Sequence, residues 1–356
     1  MNIIKCLKKL LCPRCGCRRC CKPRRPKPPP DSLTIIRTAE QLYAIRDNLS
    51  GNYRLGNDID LINFLPVIDR GWEPIGRYKL PFTGSFDGNG YKITGLWINR
   101  PTGEDVGLFG NIDGAVIKNL TVEIAYEGIT GMMFIGGIAG FVGDDSEIIN
   151  CHVYGSVAGG NVVGGIAGGI GGGNNIINCS SAGTVSGNIT VGGIAGVSYF
   201  ENTMEFCYST SDVAADNNIS GGFIGYATTG TIIENCYAAG DVSGLQYVGG
   251  FIGYNEESSN AIRNCYSVGE VSGDYIVGGF AGHTAQGSTS ACFFDTDTSG
   301  QYNGSGYNLY EKGIHGRTTA QMKHEKTFTE YNWNFDDVWD IDEGFSYPFL
   351  QSNPPG

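Results

Sequence analysis

The chain has 356 residues, of which 41% are hydrophobic and 17% charged, enough to bury a sizeable core as one long domain or two short ones. Its 56 glycines lack the every-third-residue period of collagen and disfavour a mostly helical chain, and no stretch approaches the ~20 apolar residues of a membrane-spanning helix. A net charge of −12 argues against nucleic acid as a partner.

The charge is unevenly spread. Residues 1–31 hold ten Lys or Arg and one Asp, a net of +9, which leaves −21 on the rest. This leading arm runs CLKKLLCPRCGCRRCCKPRRPKPPP and ends as an extended, polyproline-type spacer. Lys5, Lys8 and Lys9 break its only apolar run, so it does not read as a secretory signal. Cys12-x-x-Cys15 and Cys17-x-x-Cys20 offer four thiolates to a zinc ion, although the pairs lie closer together than in zinc ribbons. Lipid-modified cysteines beside the basic residues would instead hold the arm to a membrane or envelope. An unstructured arm with free thiols is the third reading.

Residues 32–122 form a leading cap and first β coils. Thr38-Ala-Glu-Gln41 reads as a capping box opening a short helix, with Leu42, Ile45 and Leu49 on one face. Short strands and Gly-rich turns follow. From residue 123 to 294 the chain repeats itself, and this decides the fold. A G-G-[IF]-[AI]-G block starts at Gly136, Gly164, Gly192, Gly221, Gly249 and Gly278, with Val106-Gly-Leu-Phe-Gly110 as a degenerate first copy. An apolar-x-Asn-Cys pattern and a [GS]-x-Val pattern recur between the blocks at the same 28–29-residue period. A propeller blade needs about 40 residues, whereas 28 suit one coil of a solenoid. The expected fold is all-β: a parallel, right-handed β-helix of about seven coils, with a short capping helix in front. Residues 295–356 drop the period, turn aromatic (YNWNFDDVWDIDEGFSYPFL) and read as a cap or flap packing back along the rod.

The spaced G-G-[IF]-[AI]-G, I-x-N-C-[YS] and G-x-V elements resemble the GLUG repeat of bacterial adhesin-like surface proteins, found also beside the catalytic domain of some IgA-cleaving metallopeptidases. Trp72-Glu-Pro-Ile-Gly76 and Phe82-Thr-Gly-Ser-Phe-Asp-Gly88 resemble the segment that precedes such repeats, and Phe294–Gln301 with Thr318–Lys323 their exit. The resemblance covers about Leu33 to Leu350. It implies a β-solenoid carried on a cell surface and no particular activity; an intracellular location stays open, given the missing signal.

Stacking one coil on the next turns each repeated residue into a column. Cys151, Cys179, Cys207, Cys236, Cys265 and Cys292 form one, and it reads as buried free thiols, since parallel side chains ~4.8 Å apart do not suit a disulfide. Asn119, Asn150, Asn178, Asn235 and Asn264 read as an amide ladder at a coil bend. The residues after the cysteines point outward, and Tyr208, Tyr237, Tyr266 and Phe293 make an aromatic stripe. Either this stripe binds a sugar or a partner surface, or the aromatic flap covers it. Asp212, Asp241 and Glu270 form an outward acidic column, read as solvated or as a Ca²⁺ site.

Two near-motifs fail. Asp295-Thr-Asp-Thr-Ser-Gly300 starts like a Ca²⁺ loop but has Gly306 at its twelfth position, and His324-Glu-Lys-Thr-Phe328 lacks the second His of a zinc peptidase. No cofactor is expected beyond those Ca²⁺ or Zn²⁺ alternatives. The sequence therefore reads as a non-catalytic surface or adhesive module presenting a glycan- or protein-binding face. A polysaccharide lyase or hydrolase built on a β-helix is the alternative.

Overall fold

The computed structural model describes residues 33–65, 70–307 and 311–355. The arm, with Cys12, Cys15, Cys17 and Cys20, lies outside the described residues. The rest is an all-β solenoid of parallel strands. Most strands are only two to four residues long, too short to persist alone. They hold because each pairs with its equivalent in the coils before and after. Ile148 lies opposite Ile176, Ile176 opposite Met204, Met204 opposite Ile233 and Ile233 opposite Ile262. Two seven-stranded sheets run the length of the repeats, and a long third sheet also takes in the leading strands Thr34–Ile36, Asn52–Leu55 and Ser85–Asp87.

The stacking is read most directly from rings. Phe223, Phe251 and Phe280 point into the rod with centroids 4.8 Å apart at each step and planes within 7° of parallel. That is the interstrand spacing of a sheet. The paired glycines serve close approach. A Cβ at Gly193 would sit 2.2 Å from the carbonyl oxygen of Gly222 on the next coil, so any larger residue forces the coils apart. Neither glycine of that pair takes a positive φ; the sharp bend falls on the asparagines instead.

A second buried polar ladder, unmarked by any repeated motif, holds another bend. The backbone N–H of Ser146 donates to Asn174 Oδ1 (2.8 Å), that of Asn174 to Asn202 Oδ1 (2.9 Å), and that of Thr231 to Asn260 Oδ1 (2.8 Å). Each amide satisfies a turn N–H that would otherwise be buried without a partner.

Both ends of the rod are covered. In front, the helix Ala39–Tyr43 buries Leu42, and the helical turn Ala44–Asp47 that follows buries Ile45. Thr38 caps it, while the Gln41 side chain reaches the N–H of Arg37, one residue short of a closed capping box. Behind, Ile314–Arg317 pairs with the last coil strand, Cys292–Asp295. The chain then doubles back along the rod as a strap, which contains the antiparallel pair Trp339–Asp340 and Phe349–Leu350.

Candidate functional site

The asparagine corner is the most regular feature. Asn119, Asn150, Asn178, Asn235 and Asn264 all take left-handed backbone, with φ between 51° and 57°. Asn tolerates that conformation better than other side-chain-bearing residues, which is why it recurs there. Their amides form a ladder, Asn178 to Asn150 and Asn150 to Asn119 at 3.1 Å each, ending on Asp87. Where the sequence loses the Asn the bend persists: Phe206 and Ala291 keep φ of 55° and 50°. At the Phe206 break the strap supplies the missing donor. Ser352 Oγ donates to Asn178 Oδ1 (3.0 Å), and Trp339 Nε1 donates to Asn235 Oδ1 (3.3 Å).

All six cysteines of the next column are fully buried and free. Their thiols donate to carbonyls around the bend, for example Cys207 to Glu205 (3.1 Å) and to Ile176 (3.4 Å). Burial pushes the thiols of Cys151, Cys207, Cys236 and Cys265 up, and that of Cys292 to about 12. Thiolate chemistry is therefore suppressed at these five positions; at Cys179 the hydrogen bonds from the Cys151 and Cys207 thiols pull the other way.

The reading of Tyr208, Tyr237, Tyr266 and Phe293 as a bare ligand-binding stripe is corrected. The column exists, with Tyr208 and Tyr237 stacked at 4.8 Å and Tyr237 and Tyr266 at 5.0 Å, but it is 0–4% exposed. Two facts account for this. The ring faces are spent on one another, and their edges lie beneath Trp333, Trp339 and Tyr347 of the strap. Tyr266 Oη donates to the Pro348 carbonyl and Trp333 Nε1 to that of Ala291, so the strap is also fixed by hydrogen bonds.

Asp212, Asp241 and Glu270 do form an exposed column along an open trough of about 450 Å³. Their carboxylates have a structural use. The Asp241 N–H donates to Asp212 Oδ1 (3.1 Å) and the Glu270 N–H to Asp241 Oδ1 (2.8 Å). Among the described residues no group of three or more His, Cys, Asp or Glu is placed to hold a metal ion, which disagrees with the Ca²⁺ reading of this column. In the truncated Ca²⁺-like loop, Asp295 is a helix cap, accepting from the N–H groups of Asp297 and Thr298 and from the hydroxyls of Thr319 and Tyr347.

A third set of residues carries no repeated motif and is seen only in the fold. Where the two seven-stranded sheets meet, outward side chains from each face one another across a concave seam. Phe134 and Phe141 meet at 5.1 Å, and Tyr247 and Tyr254 at 4.9 Å. The middle rungs close over almost completely, with Val162, Val197, Ile219 and Tyr226 at 1–2% exposure. Past Tyr254 the seam opens into His283 and Tyr307, the latter 65% exposed. At its other end the register puts Asp105 opposite Phe134 and Asn111 opposite Phe141. The first rung is thus a carboxyl and a carboxamide, joined by Asn111 Nδ2 donating to Asp105 Oδ2 (3.3 Å).

Comparison with known proteins agrees with this geometry. Residues 216–243, one full coil, match the family described as the GLUG motif. One coil of the chain carries the GLUG motif. A Gly-rich protein of Evansella cellulosilytica, named as a membrane protein, is 39% identical over 110 residues, which are 30% of this chain and 13% of that protein. Halomucin of Haloquadratum walsbyi is 36% identical over 113 residues, 31% of this chain and 1% of its own length. The chain thus spans a small part of each of these relatives. A solved structure from Bacteroides ovatus, named as an immunoglobulin A1 protease, superposes with a TM-score of 0.60 over 90% of this chain and 92% of that one, at 23% identity. A structure named IgA1 protease gives 0.53 over 72% and 21%, at 20% identity. At these identities the two structures show a shared fold alone.

Sequence reasoning found the two columns whose residue type repeats. It missed the seam, whose rungs run Asp, Phe, Val, Thr, Ile, Tyr and Ile on one side. The signal lay in position relative to the G-G blocks.

Proposed function

We propose that this chain is a structural module of a surface protein: a rigid, non-catalytic rod that sets the spacing of what is attached to it and meets partners through its bare outer faces. The observation that carries the reading is the use made of the repeated side chains. Asparagine amides, thiols, acidic carboxylates and tyrosine rings are each engaged by the neighbouring coil or by the strap, which is how a scaffold uses polar groups. Two relatives named as a membrane protein and as a halomucin support a cell-envelope setting. Glycans and host or envelope proteins are the expected partner classes, with the basic arm as the attachment to membrane or envelope.

The test is exposure on intact cells producing the full chain. Lys326, which is exposed, should be reached by impermeant amine reagents. Complete protection in intact cells, with labelling only after lysis, would overturn the surface reading. The lyase or hydrolase reading makes a separate demand: acidic polysaccharides incubated with the purified chain should then yield new unsaturated or reducing ends, and the scaffold reading expects none.

A further inference from the structure

We propose that the polar first rung of the seam is a binding site for an acidic saccharide of the uronate class, formed by Asp105, Tyr78, Arg77 and Lys79, with Asn111 holding the Asp105 carboxyl from behind. The inference deepens the surface-module reading and rests on it only for the kind of partner met.

The argument starts from the register. Five of the seven rungs put only apolar, aromatic or small side chains into the seam, the last adds His283 opposite Ile276, and stacking favours such repetition. The first rung breaks it with a carboxyl and a carboxamide, and a local break of an otherwise consistent pattern marks a position kept for something other than folding. Asp105 also takes left-handed backbone, φ 52°, a conformation that disfavours residues with a side chain. Phe134, its equivalent on the next coil, shares that φ, so the bend belongs to the corner, where Asp is one of the residues that tolerate it.

Around this rung lies an open hollow of about 390 Å³ lined by Arg77, Tyr78, Lys79, Glu104 and Asp105, within the size range of small-molecule sites. One wall is the hairpin turn closed by Arg77 and Leu80, whose backbones bond to each other at 2.8 and 3.0 Å. The turn holds Tyr78 59% exposed. Among the described residues the Tyr78 ring meets no other aromatic ring, unlike the ladder tyrosines, so its faces are free to stack on a sugar. Arg77 and Lys79 flank it, and among the described residues neither forms an ion pair, whereas Arg54 and Lys92 are paired to Asp87 and Glu123. Between residues 119 and 262 the chain has no Lys or Arg, so the cations of the described residues gather toward the two ends, Arg77 and Lys79 among them.

The parts divide the recognition between them. The cations hold a ring carboxylate, the tyrosine covers a sugar face, and the Asp105 carboxyl, held by the Asn111 amide, meets a hydroxyl. The groups facing Asp105 are Glu104 on its own strand, Tyr78, Arg77 and Lys79 from the hairpin, and Asn111 from the following strand. Its carboxyl is pushed up to about 6, first by burial, with the Tyr78 N–H and Asn111 opposing and the charge of Glu104 adding. Below pH 6 it is therefore neutral and tolerates an acidic ligand. Above pH 6 it adds a negative charge to the hollow and weakens binding.

The experiment is calorimetric titration of the purified full chain with tetragalacturonate and, separately, with neutral cellotetraose. The expected result is saturable binding of the acidic sugar, at least about tenfold weaker binding of the neutral one, and an affinity that falls as pH rises from 5 to about 7.5. Tyr78→Ala and the double change Arg77→Ala with Lys79→Ala should each lower affinity about tenfold or more; both sites are exposed, and an unchanged melting temperature will show that the fold is intact. Asp105→Asn should keep binding and remove its dependence on pH. No saturable binding up to about 10 mM, equal affinity for both sugars, or binding untouched by Tyr78→Ala would overturn the proposal. Because the measurement uses purified protein, its failure leaves the cell-surface test unaffected, and the reverse also holds.

Discussion

The asparagine corner and the outer seam are built by the same coils, yet they treat side chains in opposite ways. At the corner one residue type repeats, each copy bonds to the next, and the polar groups are consumed within the rod. Along the seam the residue type drifts from rung to rung, the middle closes, and the two ends stay open. A solenoid makes self-stacking favourable wherever a residue can pair with its own copy. The repeated columns are therefore mostly structural, and the departures from them are where a surface can be specialised.

Removing the cover from the repeated side breaks the comparison most severely. Trp339→Ala deletes a fully buried ring that packs on Tyr237, Tyr266 and Trp333, and should weaken strap docking by about 3–5 kcal/mol. Limited proteolysis should then cut within residues 319–355 while the coils stay intact.

Next comes Asp105. Its folded carboxyl pKa, about 6, lies above the ordinary 3.8, so the fold favours the protonated form. That contribution is fully present below about pH 4 and is lost as pH rises through 6, amounting to roughly 1–3 kcal/mol. Urea titrations of Asp105→Asn from pH 4 to about 7.5 should lack this decline, and an unchanged slope would show that the carboxyl is not held in the seam.

Smaller effects are expected at the corner. Asn235→Ala leaves left-handed backbone without its preferred residue and removes the partner of Asn264 and Trp339, so about 1–2 kcal/mol should be lost in chemical unfolding. Ala291→Asn is the converse, placing an Asn where φ is already 50°, and should gain about 0.5–1 kcal/mol. A loss there would mean that strap packing on Ala291 outweighs backbone relief.

Much of the fold was legible in the sequence because a parallel stack writes its period into the chain. The Cys and Asn columns stood out since identical residues 28 or 29 apart are what a ladder demands, and the aromatic tail had to bury its rings somewhere. The tyrosine stripe was found in the right place, but its accessibility depended on where residues 333–354 return, a contact more than a hundred residues long-range from Trp339 to Asn235. The role of Asp212 and Asp241 as backbone acceptors was hidden for a related reason: a column of carboxylates looks the same whether it faces solvent, a cation or the next coil's N–H. The first rung was invisible because Asp105 and Asn111 share no motif and meet only across a concave corner.

The most direct test is a tyrosine nitration map of the native chain, read by peptide mass spectrometry. Tyr208, Tyr237 and Tyr266 should stay unmodified while Tyr78 and the fully exposed Tyr126 react, and the three ladder tyrosines should become reactive only in Trp339→Ala. Ladder tyrosines that react as readily as Tyr78 in the native chain would contradict both the stack and its cover.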